Sequence, residues 1–343
     1  MKEFATKIVL LIGVSISILA LVNCLLDPFQ ILSAKPEGNY GMTGTQRYHF
    51  AGIIRHYDFD RIIIGTSMSE NFLPSSVDQE FGYGKTLNAA ISGASIFEQY
   101  EVLSFAFEQA TVKEVIWGID FPSFVSDDND FPKYLYSTKP LAVVKYILDP
   151  SIVRMAIKDF LASKERGGHA PSSNLFDKFT YYWANSVVFS EDIVLEIWED
   201  YKKRESSHES YPIHKMIDSF RNTVLETILT YEDVHFYVFF PPYSILYFVY
   251  LKEECPISFE HVMSFKQSII EALRPLNNVT ILDFQNRCDI ICDLNNYKDV
   301  WHFSGDISDE IIREIAACKT SCKQPSYEET VRDCLDACAN NYW

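Results

Sequence analysis

Short apolar runs, each closed by a polar or glycine-containing turn and followed by a helical stretch, constrain this chain most. The clearest is 61–65, where Ile62-Ile63-Ile64 stops abruptly at Gly65-Thr66-Ser67. A β-branched run of that length without polar alternation reads as a strand buried on both faces. Further strands are expected at 86–90, 114–119, 234–240 and 279–284. Helices are expected around and between them, at 47–56, 95–110, 214–231, 258–273 and 307–317. In the second of these, Ile96, Tyr100, Leu103, Phe107 and Ala110 recur at helical spacing. Strands alternating with helices imply parallel pairing and a layered α/β domain. Sites in such sheets form at the carboxyl ends of the strands, which is where Ser67 falls.

The N-terminus reads as a membrane element. Ile8 to Leu26 are nineteen residues without a charge, preceded by Lys2 and Lys7. At about 1.5 Å per residue, a helix of that length nearly crosses a hydrocarbon core of about 30 Å. The flanking lysines would keep the short end in the cytoplasm and place the remainder outside it. An uncleaved signal anchor over 1–26 is therefore expected. A cleaved signal peptide, a lipoprotein at Cys24 and a buried helix are the alternatives. The net charge of −17 argues against nucleic acid as a partner, because phosphate binding needs a basic face.

Four of the eight cysteines close the chain as Cys318-x3-Cys322 and Cys334-x3-Cys338. Residues four apart share a helix face, so an antiparallel hairpin over 318–343 would pair Cys318 with Cys338 and Cys322 with Cys334. Lys323-Gln324-Pro325-Ser326 reads as its turn. The spacing is similar to the twin C-x3-C hairpins of the small mitochondrial Tim chaperones. Zinc held by four thiolates is the alternative, while an exported domain favours disulfides. Cys255, Cys288 and Cys292 are left with no legible pairing. Elsewhere no metal or nucleotide motif occurs, so no cofactor is expected.

Between about 122 and 211 the alternation is lost and aromatics accumulate, among them Tyr134, Tyr136, Tyr146, Phe179, Trp183 and Trp198. This stretch reads as a helical insertion in the 27–317 domain. It is either a lid over a substrate groove or a satellite core.

Ser67 at a strand end and the distant Asp299-Val300-Trp301-His302 supply the three groups that nucleophilic acyl transfer needs. The hydroxyl needs a base within hydrogen-bond reach, the base needs an orienting acceptor, and the oxyanion needs backbone donors. Asn88-Ala89-Ala90-Ile91-Ser92-Gly93-Ala94-Ser95 closes the second strand and offers Gly93 as such a donor.

With these motifs in this order, the sequence resembles the SGNH/GDSL hydrolase superfamily over roughly 25–317. It is most similar to the membrane-anchored extracytoplasmic branch that includes alginate O-acetylation and teichoic-acid D-alanylation proteins. The resemblance is carried by Asp27-Pro28-Phe29, Ile64-Gly65-Thr66-Ser67, Asn88 to Gly93, Phe240-Pro241-Pro242-Tyr243 and Tyr297 to Ser304. It implies a flavodoxin-like three-layer sandwich, with Ser67 as nucleophile, His302 as base, Asp299 as its orienter and Gly93 at the oxyanion. It further implies a serine esterase or O-acyltransferase acting on a cell-surface or secreted glycan, with a membrane-bound acyltransferase as a partner. The chain departs from the family at Trp117-Gly118-Ile119-Asp120, where the family has an oxyanion Asn. An ionised Asp cannot donate a hydrogen bond. Asn88 and Asn71 are candidate substitutes, and Asp120, Tyr243 and Trp301 are expected along the substrate groove. If no donor replaces the Asn, the scaffold would be a non-catalytic glycan-binding or assembly protein.

Overall fold

The computed structural model describes residues 1–35, 45–126, 131–165, 174–203, 210–321 and 331–342. Among these, five parallel strands form one sheet: β1 (Arg61–Ile64), β2 (Thr86–Asn88), β3 (Glu114–Gly118), β4 (His235–Phe240) and β5 (Val279–Asp283). Their order is β2-β1-β3-β4-β5, with Ile63 opposite both Asn88 and Ile116. Nearly every strand residue is buried, as the unalternating apolar runs require. The chain runs outward from β1 to β2 and then crosses back to β3. The reversal opens a crevice at the carboxyl ends of β1 and β3.

The helices in chain order are α1 (Lys2–Leu26), α2 (Gln46–His56), α3 (Pro74–Phe81), α4 (Ile96–Gln109), α5 (Pro140–Leu148), α6 (Pro150–Glu165), α7 (Leu175–Lys178) and α8 (Glu191–Tyr201). They continue with α9 (Ile213–Phe220), α10 (Glu226–Thr230), α11 (Ile245–Glu254), α12 (Pro256–Leu273), α13 (Cys288–Ile291), α14 (Gly305–Ser321) and α15 (Val331–Tyr342). The expected helix at 214–231 is split by a π-helical turn, Arg221–Leu225. Helices α2, α4, α9 and α12 pack in succession, while α3 packs against α14. The result is the layered α/β architecture expected from the sequence.

At the amino ends of the strands, Arg61 is fully buried. It pairs with Glu114 at 2.5 Å and Asp78 at 3.1 Å, and its guanidinium lies 3.8 Å from the Phe81 ring centre. One cation thus ties β1 to β3 and to α3. A charge so desolvated is tolerable only with partners of this quality.

Helix α1 is apolar and almost wholly exposed, with one window long enough to cross a membrane. The insertion contributes α5 to α8. Its Tyr146, Phe179, Val194 and Trp198 join the main hydrophobic core rather than forming a separate one.

The cysteine pairing read from the sequence is corrected. Cys334 bonds to Cys288 and Cys338 to Cys292. Cys288-x3-Cys292 is itself one helical turn with both sulfurs on one face, so α15 docks on α13 rather than folding back on α14. Burial drives the choice: Val331, Cys334, Leu335 and Cys338 are covered, and α15 packs against α11 and α13. Cys318 is disulfide-bonded and lies inside the continuous α14, so no boundary falls at 318. With these thiols oxidised, no four-thiolate zinc set exists among the described residues. Cys322 and the turn at 323–326 lie outside the described residues.

Candidate active site

Gly65 ends β1 because Ser69 turns back onto it. A Cβ at Gly65 would lie 2.5 Å from the Ser69 Oγ, and one at Gly118 would lie 2.6 Å from the same atom. The next residue, Thr66, caps a short 3-10 turn, Ser67–Ser69, by accepting from the Met68 N–H. Ser67 therefore stands first in a tight turn at the mouth of the crevice, half-buried.

His302 arrives from the far end of the chain. Tyr297 and Phe303 form an antiparallel bridge, and the Lys298 N–H donates to the His302 carbonyl at 3.1 Å. Inside this loop Asp299 Oδ1 accepts the Trp301 and His302 N–H groups, both at 2.8 Å. Asp299 Oδ2 lies 2.8 Å from His302 Nδ1, and His302 Nε2 lies 2.9 Å from Ser67 Oγ. The Pro-Pro segment after β4 holds the loop in place. Tyr297 donates to the Pro242 carbonyl at 3.0 Å, and Ser244 Oγ donates to the Val300 carbonyl at 2.8 Å. Burial raises the Asp299 carboxyl, but its bonds with the His302 ring and the two backbone N–H groups outweigh this and hold it below the usual range.

Gly93 has φ +61°, a left-handed conformation that a side chain would strain. Its loop is pinned from two sides. Ser95 and Glu98 form a capping box at the start of α4. Arg47 of α2 grips Glu98 at 2.7 and 2.8 Å and reaches the Ser92 and Gly93 carbonyls at 3.4 and 3.5 Å. Neither the Ser67 nor the Gly93 N–H donates to an acceptor among the described residues, so both remain free for an oxyanion.

Three expected roles are corrected. Asn88 is no oxyanion donor: its amide hydrogens go to the Ser69 and Phe72 carbonyls, each at 2.8 Å. It splints the turn that begins at Ser67, whose buried carbonyls need a donor. Asn71 is also spent, its carbonyl accepting from the Trp183 and Ala184 N–H groups. Tyr243 lines no open groove. It is fully buried among Phe121, Tyr247 and Trp301, with its hydroxyl donating to Asp120. Asp120 itself is buried and also accepts from Thr66 Oγ1 at 2.7 Å. Burial pushes its carboxyl upward despite those two hydroxyls. Trp301 stays partly exposed, its ring 4.5 Å from that of Tyr247.

Several residues at the site carried no individual sequence signal. Trp183, from the insertion, meets the His302 ring edge-on at 5.5 Å. Its indole N–H donates to buried Glu70 at 3.0 Å. Glu70 also accepts from Ser92 Oγ at 2.6 Å and Gln46 Nε2 at 2.5 Å, and burial pushes its carboxyl up. Lys298 lies 3.9 Å from the Trp183 ring centre, its ammonium pKa lowered by burial. Trp183 was one aromatic among many in 122–211, and Glu70 only the polar end of the Ser67 turn.

Together these groups can pass a proton from an alcohol to an imidazole beside two free backbone donors, the minimum for acyl transfer through a serine ester. No family model matches the sequence, and no curated protein matches it. Among solved structures, the fold is similar to a Streptococcus pneumonia chain provisionally described as a platelet activating factor. The likeness covers 81% of this chain and 92% of that one, at 10% identity and a TM-score of 0.42, and carries no argument about activity.

Proposed function

We propose that the protein is a membrane-anchored, extracytoplasmic serine esterase or O-acyltransferase of SGNH type, acting on an acylated cell-surface or secreted glycan. The observation that carries the reading is the unbroken relay Ser67 Oγ–His302 Nε2 at 2.9 Å and His302 Nδ1–Asp299 Oδ2 at 2.8 Å. Ser67 Oγ attacks the acyl carbon and its proton passes to His302 Nε2. The tetrahedral oxyanion is held by the Ser67 and Gly93 N–H groups. Collapse expels the alcohol, which takes the proton from His302, and leaves an acyl-Ser67 ester. Water or a sugar hydroxyl, deprotonated by His302, then attacks that ester and restores the serine. Hydrolase and transferase differ only in this acceptor. A glycan acceptor follows from the sequence resemblance, as does a membrane-bound acyltransferase as acyl donor. The apolar α1 and the disulfides support an extracytoplasmic setting.

The test is hydrolysis of a chromogenic acetyl ester together with labelling by a serine-directed phosphonate. Both are expected in the wild type and lost in Ser67→Ala. Activity that persists undiminished in the variant removes Ser67 as nucleophile.

A second reading, a non-catalytic glycan-binding protein on the same scaffold, is favoured by Asp120 alone, whose carboxylate faces hydroxyls where the family has a donor amide. Glycan binding that survives Ser67→Ala, with no phosphonate labelling of the wild type, would select it.

A further inference from the structure

Helix α1 does not hang on a tether. The Asn23 side chain is fully buried and donates to the Ile147 and Asp149 carbonyls, both at 3.0 Å, at the junction of α5 and α6. Asp27 ends α1 in a left-handed conformation. Its carboxylate accepts the N–H groups of Ile31, Leu32 and Ser33 at 2.9, 3.1 and 3.1 Å, and the Tyr146 hydroxyl at 3.1 Å. Lys35 Nζ donates to the Leu26 and Asp27 carbonyls. Within α1, only Leu19, Ala20, Val22 and Asn23 are shielded by the body of the protein.

These contacts set a depth. Asn23 lies three residues before Leu26, and Leu19 seven, which is about 4.5 and 10.5 Å along the helix axis. The α5–α6 pair, both of whose helices pack on α1, therefore sits below the end of the apolar span, at the depth where interfacial helices lie, about 5–10 Å into the headgroup boundary. Its outer surface suits that position. Leu141, Val144 and Leu148 form one stripe on α5, and Ile157 and Leu161 another on α6, with exposures of 73%, 44%, 41%, 56% and 55%. Between 139 and 161 the two helices carry Lys139, Lys145, Arg154 and Lys158 against Asp149 and Asp159, a positive balance in a chain of net charge −17. Apolar stripes flanked by cations fit a bilayer with anionic headgroups, because the chains take the leucines and the phosphates take the ammonium groups.

We infer that α5 and α6 form a second, interfacial membrane element. Continuous with α1, it seats the domain in a fixed orientation on an anionic phospholipid surface. The inference rests on the reading of α1 as a retained span. Its consequence for the site comes through α2. The Tyr48 ring lies tilted, 5.2 Å from that of Phe29, beside the end of α1, and the adjacent Arg47 holds the Gly93 loop. The seated domain thus keeps its oxyanion loop one short helix end away from the bilayer, where a membrane-delivered acyl donor would arrive.

The experiment uses the full chain in nanodiscs containing phosphatidylglycerol. Photoreactive benzoylphenylalanine replaces Val144, Leu148, Ile16 as span control or Leu229 as an exposed control, and adducts are read by intact mass. Lipid adducts at 144, 148 and 16 but not at 229 are expected. Adducts at 16 without any at 144 and 148, or a protein–protein adduct at those two positions, overturn the seating while leaving the span intact. No adduct at 16 removes the span and the seating with it. Hydrolysis of the soluble acetyl ester, measured on the same samples, reports separately on the Ser67 chemistry.

Discussion

The Trp183 indole meets the His302 imidazole at 88°, with 5.5 Å between ring centres, while its own N–H is held by Glu70. One side chain of the insertion thus touches both His302 and the buried Glu70. An edge contact of this kind fixes the azimuth of the imidazole without competing for either nitrogen. Trp183→Ala is expected to lower kcat by about tenfold, the equivalent of about 1.4 kcal/mol in the barrier, while phosphonate labelling of Ser67 persists at a reduced rate. Trp183→Phe keeps a ring but leaves Glu70 one donor short. It should recover most of kcat and lose thermal stability. Steady-state kinetics and a melting curve on the pair separate the two contacts.

Asp299→Asn should leave the loop folded, because the side-chain carbonyl can still accept from the Trp301 and His302 N–H groups. Its amide would face His302 Nδ1 with hydrogens and impose the wrong tautomer. A fall in kcat of about 10⁴ is expected, as for the equivalent change in serine proteases. An unchanged kcat on the acetyl ester would show that Asp299 does not orient the base.

Asp120 gives a pH signature. Its carboxyl is raised above the ordinary 3.8 by burial. The protonated form is therefore the one folding favours, and its contribution is complete below pH 3.8 and lost as pH climbs through the raised value. Asp120→Asn removes that loss, and the Thr66 and Tyr243 hydroxyls can accept as well as donate. The melting temperature of the variant relative to wild type should rise with pH above about 4. A difference that is flat from pH 4 to 8 would mean the carboxyl is not raised.

The cysteine pairing can be read from peptides. Without reduction, trypsin should release 288–298 joined to 333–343, since Arg287, Lys298 and Arg332 flank the two pairs. Replacing both Cys334 and Cys338 by Ser should cost about 2–5 kcal/mol of stability. Because α13 leads directly into the 297–303 loop, the same variant should lose activity at a lower temperature than that of global unfolding.

Arg61 lies far from the chemistry, at the opposite ends of the strands. Arg61→Met leaves Glu114 buried without its partner, and a loss of about 3–5 kcal/mol is expected in denaturant unfolding. Catalysis per folded molecule should be unchanged.

Much of the sheet was legible because parallel strands buried on both faces write themselves as local apolar runs. Ile62-Ile63-Ile64 and Phe236 to Phe240 need no tertiary information to be recognised. Ser67, Asp299 and His302, which the proposed chemistry uses, were legible for a related reason, since Ser67 closes one such run and Asp299 and His302 sit within one turn of each other. What Asn88 and Tyr243 do was not legible. Whether an amide or a hydroxyl faces a ligand or a neighbouring carbonyl depends on which loop folds over it. The turn after β1 covers Asn88, and Trp301 covers Tyr243.

The sequence by itself determined the α/β class, the apolar N-terminal helix and the order of the groups that the proposed chemistry uses. All of these follow from residues near one another along the chain. Only the tertiary structure decided that Cys334 meets Cys288, that Trp183 leans on His302 and that Asn23 fastens α1 to the α5–α6 junction. Those contacts join segments 46, 119 and 124 positions apart. Nothing local specifies them, and each is selected by the apolar surface that docking buries.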